Sequence, residues 1–336
     1  MAKIIFFEIE TWEEPIFKAN FPQDEVIFST KVLELYQEYD KNMFDAEVLS
    51  TFVFSQLTSK LLSLFSNLKC IVTRSTGYDH IDIDYCKEKG IIVSNVPQYG
   101  VHTIVEHTFA LMLALSRKIV LSVERTRKGN FDLEGLQGME LYGKTLGVIG
   151  TGNIGNVVCQ IALGFGMKVI AYNRHPEEEL EKLGVQFVSL DALLAQSDIA
   201  TIHLPYVPET KHLINLQNIE KMKKGSLLIN TARGPIVETQ AILTGLEKGI
   251  LSGAGLDVLE EECGIREEKE LLTSAFSESC DLKTQLMDHI LLNRDDVIVT
   301  PHNAFHSKEA MDHILQTTVE NIQGFLAGKP QSVVSK

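Results

Sequence analysis

The chain has 336 residues, 44% hydrophobic and 23% charged, with 31 basic against 45 acidic side chains and a formal net charge of −14. One hydrophobic core stops growing at about 250–300 residues, so this length predicts two domains of ordinary globular composition. The acidic balance argues against nucleic acid or an anionic membrane as partner, yet leaves room for a local basic pocket that takes a small anion.

Residues 3–7, 48–54, 68–74 and 91–94 read as buried strands. Between them Thr58 caps a helix to about residue 65, and residues 82–89 form a short helix closed by Gly90. Strands alternating with helices imply a parallel sheet with helices on its faces. Residues 103–128 carry one long helical pattern whose apolar positions cover much of the circumference, as at a domain junction or a subunit interface. Its greasiest stretch, 109–115, is far shorter than the roughly 20 residues a membrane span needs. The N-terminal apolar run is likewise too short for a signal peptide. Five cysteines, at 70, 86, 159, 263 and 280, form no CxxC pair, which points to reduced thiols in the cytoplasm.

The alternation resumes at Leu146-Gly-Val-Ile-Gly-Thr-Gly-Asn-Ile-Gly155: an apolar strand, a Gly150-x-Gly152-x-x-Gly155 turn, a helix from about residue 156, then a strand over 168–172. That order is what a dinucleotide-binding βαβ unit requires. The first glycine allows the turn, the second lets backbone approach a pyrophosphate, and the third lets helix pack on strand. The phosphates then meet free N–H groups at the helix N-terminus. Further strands are expected over 185–190, 199–203, 226–230, 251–257 and 297–300, and a final amphipathic helix over 307–326. Residues 260–294 break the rhythm as a charged, patchily helical insertion.

In open α/β sheets ligands bind outside the carboxyl ends of the strands. The residues found there are Leu204-Pro205, Thr231-Ala232-Arg233, Asp257 with Glu262 five residues on, and His302. Hydride transfer to a 2-keto acid needs a two-pronged cation for the carboxylate and carbonyl oxygens, which Arg233 offers. It also needs a proton donor that titrates near neutrality, which His302 can be. A carboxylate such as Glu262 would orient the ring, although on pattern alone Glu260-Glu261-Glu262 also reads as a solvated run. His302 and His306 lack a third partner for a metal, so none is expected.

These residues resemble the D-isomer-specific 2-hydroxyacid dehydrogenase family, and within it the D-lactate dehydrogenase branch. The likeness rests on Arg74-Ser-Thr-Gly-Tyr-Asp-His-Ile-Asp82, Val105-Glu-His-Thr108, the glycine motif, Asn230-Thr-Ala-Arg-Gly-Pro235, Gly253-Ala-Gly-Leu-Asp-Val258 and Thr300-Pro-His-Asn-Ala-Phe305. It implies an α/β protein of two doubly wound parallel-sheet domains. A Rossmann NAD(P)-binding domain, 101–299, would be inserted into a flavodoxin-like substrate domain, 1–100 plus 300–336. It implies a catalytic trio of Arg233, Glu262 and His302, and selects Glu262 over its two neighbours. Asn153, Ile154, Thr108, Leu204, Pro205, Thr210, Thr231, Ala232 and Asp257 would line the coenzyme. Thr76 and Gly77 would hold the substrate carboxylate, and Phe54, Tyr99 and Phe305 would shape the side-chain pocket. A homodimer acting on a small 2-keto acid such as pyruvate is implied, with glyoxylate or hydroxypyruvate as the nearest alternative substrates. A nucleotide-sensing protein without catalysis is the reading from another class.

Three positions depart from the family pattern. Asn173, followed by Arg174, stands where a carboxylate should bind the adenine ribose; NADP(H) is therefore expected to be accepted, with a slight preference over NAD(H). His306 replaces the tyrosine more usual in lactate-type relatives. The third departure is the 260–294 insertion.

Overall fold

Short runs rich in Ile, Val, Leu and Phe form two parallel sheets in the computed structural model, which describes residues 1–34, 39–97, 99–260 and 281–335. The chain divides into two units, Met1–Gly100 with Ser307–Lys336, and Val101–His306. In the first unit β1 (Lys3–Phe6), β2 (Glu25–Phe28), β3 (Val48–Thr51), β4 (Cys70–Thr73) and β5 (Ile92–Ser94) pair in the order β2-β1-β3-β4-β5. Both faces of this sheet are covered, so a run such as Ile4-Ile5-Phe6 is apolar without alternation. Ile5, Leu49, Ile71 and Val93 pack with Leu57 and Leu61 on one face. Ile4, Phe6, Val48 and Val72 pack on the other with Leu315, Val319 and Ile322. Those last three lie on the helix Lys308–Leu326, whose N-terminus is capped by the Ser307 side chain accepting from Ala310 N.

In the second unit β6 (Thr145–Ile149), β7 (Lys168–Tyr172), β8 (Gln186–Phe187), β9 (Ile199–Ile202), β10 (Ser226–Asn230), β11 (Leu251–Leu256) and β12 (Val297–Val299) pair in the order β12-β11-β10-β9-β6-β7-β8. Counted from β6 as the first, the order runs 3-2-1 and then 4-5-6-7 outward from the other side of β6. That is the dinucleotide-binding doubly wound arrangement, whereas the first unit has the flavodoxin-like order 2-1-3-4-5. The helix Asn153–Gly164 buries Gly155, Val158, Cys159 and Ala162, one stripe at helical spacing.

Some elements differ from the sequence reading. The pattern over 103–128 is two helices, Val101–Ser116 and Ile119–Arg127, because Lys118 adopts a left-handed conformation (φ 55°) that interrupts the hydrogen-bond ladder. The strand expected over 185–190 is only β8: Ser189 accepts from Ala192 N and starts a helix, Leu190–Gln196. Within the insertion, Asp281 caps a helix, Leu282–Leu292. Residues 300–306 run with the second unit rather than the first, since Thr300 N and His302 N bond to the carbonyls of Leu256 and Asp257. Glu262, Cys263 and Cys280 lie outside the described residues. Among the described residues no helix is long and apolar enough to cross a membrane, and no group of His, Cys, Asp or Glu could hold a metal.

Candidate active site

The glycine turn sits where the strand order of the second sheet reverses, between β6 and β9. Gly150 has φ 93°, a conformation side chains avoid, and a Cβ there would lie 2.7 Å from His203 O. A Cβ on Gly155 would lie 1.9 Å from Gly150 O, so only glycine lets the helix close on the strand. A Cβ on Gly152 would meet nothing within 4 Å. The turn is tight on its protein side and open on its outer side, where Asn153 is exposed and Ile154 half-buried. This is the cradle a pyrophosphate needs at a helix N-terminus, so the residues present fit a dinucleotide.

At the end of β7, Asn173 does not stand alone. Its Nδ2 donates to Thr151 Oγ1 (2.7 Å) and to His175 O (3.1 Å), and its Oδ1 accepts from Arg174 N. Thr151 Oγ1 in turn donates to Glu177 Oε1, and Asn156 Nδ2 donates to Glu177 Oε2, both at 2.8 Å. Arg174 is exposed. The sequence reading gave neither Thr151 nor Glu177 a role.

The remaining strand ends continue the sheet's hydrogen-bond ladder past the strands themselves. His203 N bonds to Ile149 O, Asp257 N to Asn230 O, and His302 N to Asp257 O. Leu204, Arg233, Asp257 and His302 follow β9, β10, β11 and β12 in turn, adjacent strands of the sheet, and so share one edge. Arg233 leads into a 3-10 turn at Gly234, where a Cβ would lie 1.8 Å from Leu259 O. Its Nη1 donates to Ala232 O, and the Asn230 side chain braces the bend by accepting from Ala232 N and donating to Arg233 O. Thr231 Oγ1 lies 3.0 Å from Thr108 Oγ1. Thr210 Oγ1 bonds to Pro205 O and Val207 N, which shapes the loop carrying Leu204-Pro205.

His302 has φ 52°, uncommon outside glycine, and the loop around it is held by Asp257. The buried Asp257 carboxylate accepts from Thr300 Oγ1, Asn303 N and Ala304 N, and His107 Nε2 lies 3.5 Å away. His107 Nε2 also lies 3.0 Å from Thr300 Oγ1. Asp257 is thus the anchor of the histidine loop. His107 and Thr300, both inside motifs recognised in the sequence, complete that anchor without having been singled out. Glu260 is committed elsewhere, to His212 Nε2 and Thr239 N. His203 is half-buried, and burial pushes its imidazole down to about 3, so it stays neutral at physiological pH.

In the first unit Phe54, Thr76, Gly77 and Tyr99 follow β3, β4 and β5, again at the carboxyl edge. Phe54 N donates to Glu8 Oε2, and Thr76 Oγ1 donates to Val96 O. The backbone N–H groups of Thr76 and Gly77 meet no protein acceptor among the described residues. Phe305, in the second unit, lies edge-on to the exposed His306 ring at 5.8 Å.

A family model described as "D-isomer specific 2-hydroxyacid dehydrogenase, NAD binding domain" matches residues 109–304. A 2-hydroxyacid dehydrogenase homolog of Schizosaccharomyces pombe is 34% identical over 333 residues, 96% of each chain. Among solved structures, D-lactate dehydrogenase from Aquifex aeolicus, complexed with NAD and lactic acid, is 36% identical, with a TM-score of 0.88 over 99% of each chain. The pyruvate reductase of Chlamydomonas reinhardtii is 34% identical, with a TM-score of 0.85 over 98% of each chain.

Proposed function

Because this chain belongs to the D-isomer-specific 2-hydroxyacid dehydrogenase family, we propose that it reduces a small 2-keto acid to the D-2-hydroxy acid with a nicotinamide coenzyme, pyruvate and D-lactate being the favoured pair. The observation that carries this reading is His302, set in a strained backbone by Asp257 on the same sheet edge as Arg233 and the glycine turn. The likeness to a lactate enzyme and to a pyruvate reductase supports the choice of substrate.

In this mechanism the N–H groups of Thr76 and Gly77 receive the substrate carboxylate. The Arg233 fork grips carboxylate and carbonyl oxygens and draws charge toward the latter. The nicotinamide supplies the hydride when the coenzyme is bound. His302 gives its proton to the carbonyl oxygen as the alcohol forms, and takes it back in the reverse direction. The family resemblance assigns to Glu262, which lies outside the described residues, the role of orienting the ring. Phe54, Tyr99 and Phe305 give the pocket an apolar wall suited to a methyl group. The exposed His306 beside Phe305 favours glyoxylate or hydroxypyruvate as the second reading.

A panel of 2-keto acids run with NADH and NADPH tests the assignment, with pyruvate expected to give the highest kcat/KM. His302→Asn keeps a residue that tolerates positive φ but removes the acid. Turnover should fall about 10²–10⁴-fold while the melting temperature holds. Coenzyme binding with no turnover of any acid by the wild type would leave the nucleotide-sensing reading standing. We also propose a cytoplasmic homodimer. The helix Ile119–Arg127 buries none of its residues and leaves Ile119, Val120 and Val123 50%, 44% and 41% exposed, an apolar face suited to a second copy. Light scattering should give twice the chain mass and Val123→Asp a lower one; an unaltered dimer in the variant sinks that assignment of the face.

A further inference from the structure

Asn173 in place of a carboxylate, followed by Arg174, favours NADP(H) on sequence grounds. The structure carries a carboxylate in that corner all the same. Glu177 reaches back from four residues beyond Asn173, and both its oxygens are fixed at 2.8 Å, one by Thr151 of the Gly-x-Gly turn and one by Asn156 in the first helical turn. Asn173 joins the same network through its own bond to Thr151 Oγ1. The Asn173 amide therefore ties the end of β7 to the turn, and the charge usually carried at that position stands on Glu177.

We propose that Glu177 is the coenzyme-selecting residue of this chain: its carboxylate, held on the glycine turn, repels a 2′-phosphate and sets the preference for NAD(H) over NADP(H). The inference rests on the nicotinamide-coenzyme reading above. A fixed carboxylate and a phosphate dianion in one corner repel strongly, because the carboxylate cannot turn away without breaking the bonds that hold it. The opposing cation, Arg174, is an exposed side chain in high dielectric, and such a charge contributes little. Glu177 itself is half-buried, and the groups that bond it, the Thr151 hydroxyl and the Asn156 amide, are both neutral donors. Two neutral donors orient a carboxylate and leave its charge in place.

Dissociation constants for NADH and NADPH, from fluorescence titration of the full chain without substrate, test this apart from turnover. The wild type should bind NADH at least about tenfold more tightly than NADPH. Glu177→Gln keeps the shape and one acceptor. It should bring the ratio within about threefold of unity, chiefly by tightening NADPH. Equal weakening of both coenzymes would make Glu177 a structural hook and overturn the proposal, as would an unchanged ratio or a wild type that prefers NADPH. The wild type alone gives a second measure: salt screens charge repulsion, so the ratio should shrink between low and high ionic strength; a salt-independent ratio also overturns it. A chain that binds neither coenzyme refutes the nicotinamide reading itself, an outcome distinct from all of these.

Discussion

The two sheets share the doubly wound plan but treat their switch points in opposite ways. In the second unit the switch point between β6 and β9 is bordered by the glycine turn, whose outer side at Gly152 is open. In the first unit the corresponding point, between β1 and β3, is filled. Arg74, 2% exposed, runs from the end of β4 and donates to Phe7 O, Glu8 O and Ser50 Oγ. Glu8, at φ 56°, turns its carboxylate onto Phe54 N, Ser55 N and Ser55 Oγ. Burial pulls the Arg74 pKa down, while the charges of Glu13 and Glu8 pull it back up. One architecture thus yields a ligand cradle where the turn residues are glycine and a polar plug where they are not. Topology nominates the location of a site, and side chains decide whether one exists.

The largest effect expected from breaking this contrast is on the plugged side. Arg74→Met should cost about 3 kcal/mol in denaturant unfolding, because the carbonyls of Phe7 and Glu8 lose the buried guanidinium that donates to them. The folded variant should keep wild-type NADH affinity, and a tenfold loss of affinity would mean that the plug serves the coenzyme after all. Next come the glycines on the open side. Gly155→Ala drives a methyl into Gly150 O and should lose about 1–3 kcal/mol of stability along with coenzyme binding. Gly152→Ala meets no protein atom and has φ −61°, so its melting temperature should hold while coenzyme affinity falls. If both variants lose stability alike, Gly152 faces protein and the cradle has been misread.

Local physics made much of this legible. Asp82 and Gly90 bracket their helix as read, Gly90 at φ 68°, because caps act within a turn of the residues that encode them. β7 and β10 begin and end where the apolar runs do. The glycine motif carries its own geometry in three residues. What escaped were contacts between residues far apart in the chain. Arg74 meets Glu8 O across 66 positions, and Glu177 meets Thr151 across 26, with no spacing rule to announce either. Lys118 and His302 adopt positive φ without the glycine that would have signalled it, so the helix break and the strained histidine are tertiary decisions. The anchoring work of Asp257 was hidden for the same reason: its partners come from the loop that follows β12, more than forty residues later.

The smallest expected effect concerns the charge that the open edge refuses. His203 follows β9 beside the glycine turn, and its Nε2 has Thr201 Oγ1 as neighbour at 2.9 Å. Packing around the ring holds its pKa near 3, against an ordinary value of 6.5. The folded pKa is depressed, so the unfolded chain takes up a proton below pH 6.5 that the folded chain refuses. The stabilising contribution is complete above pH 6.5 and drains away as pH falls toward 3, by at most about 1.4 kcal/mol per pH unit. Between pH 7 and pH 5.5 the wild type should therefore lose about 1 kcal/mol more unfolding free energy than His203→Gln, which has no proton to gain. The carboxylates of this acidic chain titrate alike in both proteins, so the difference isolates the histidine. Parallel decline of the two would mean that water reaches the ring, and that the edge beside Gly150 is open further back than its packing indicates.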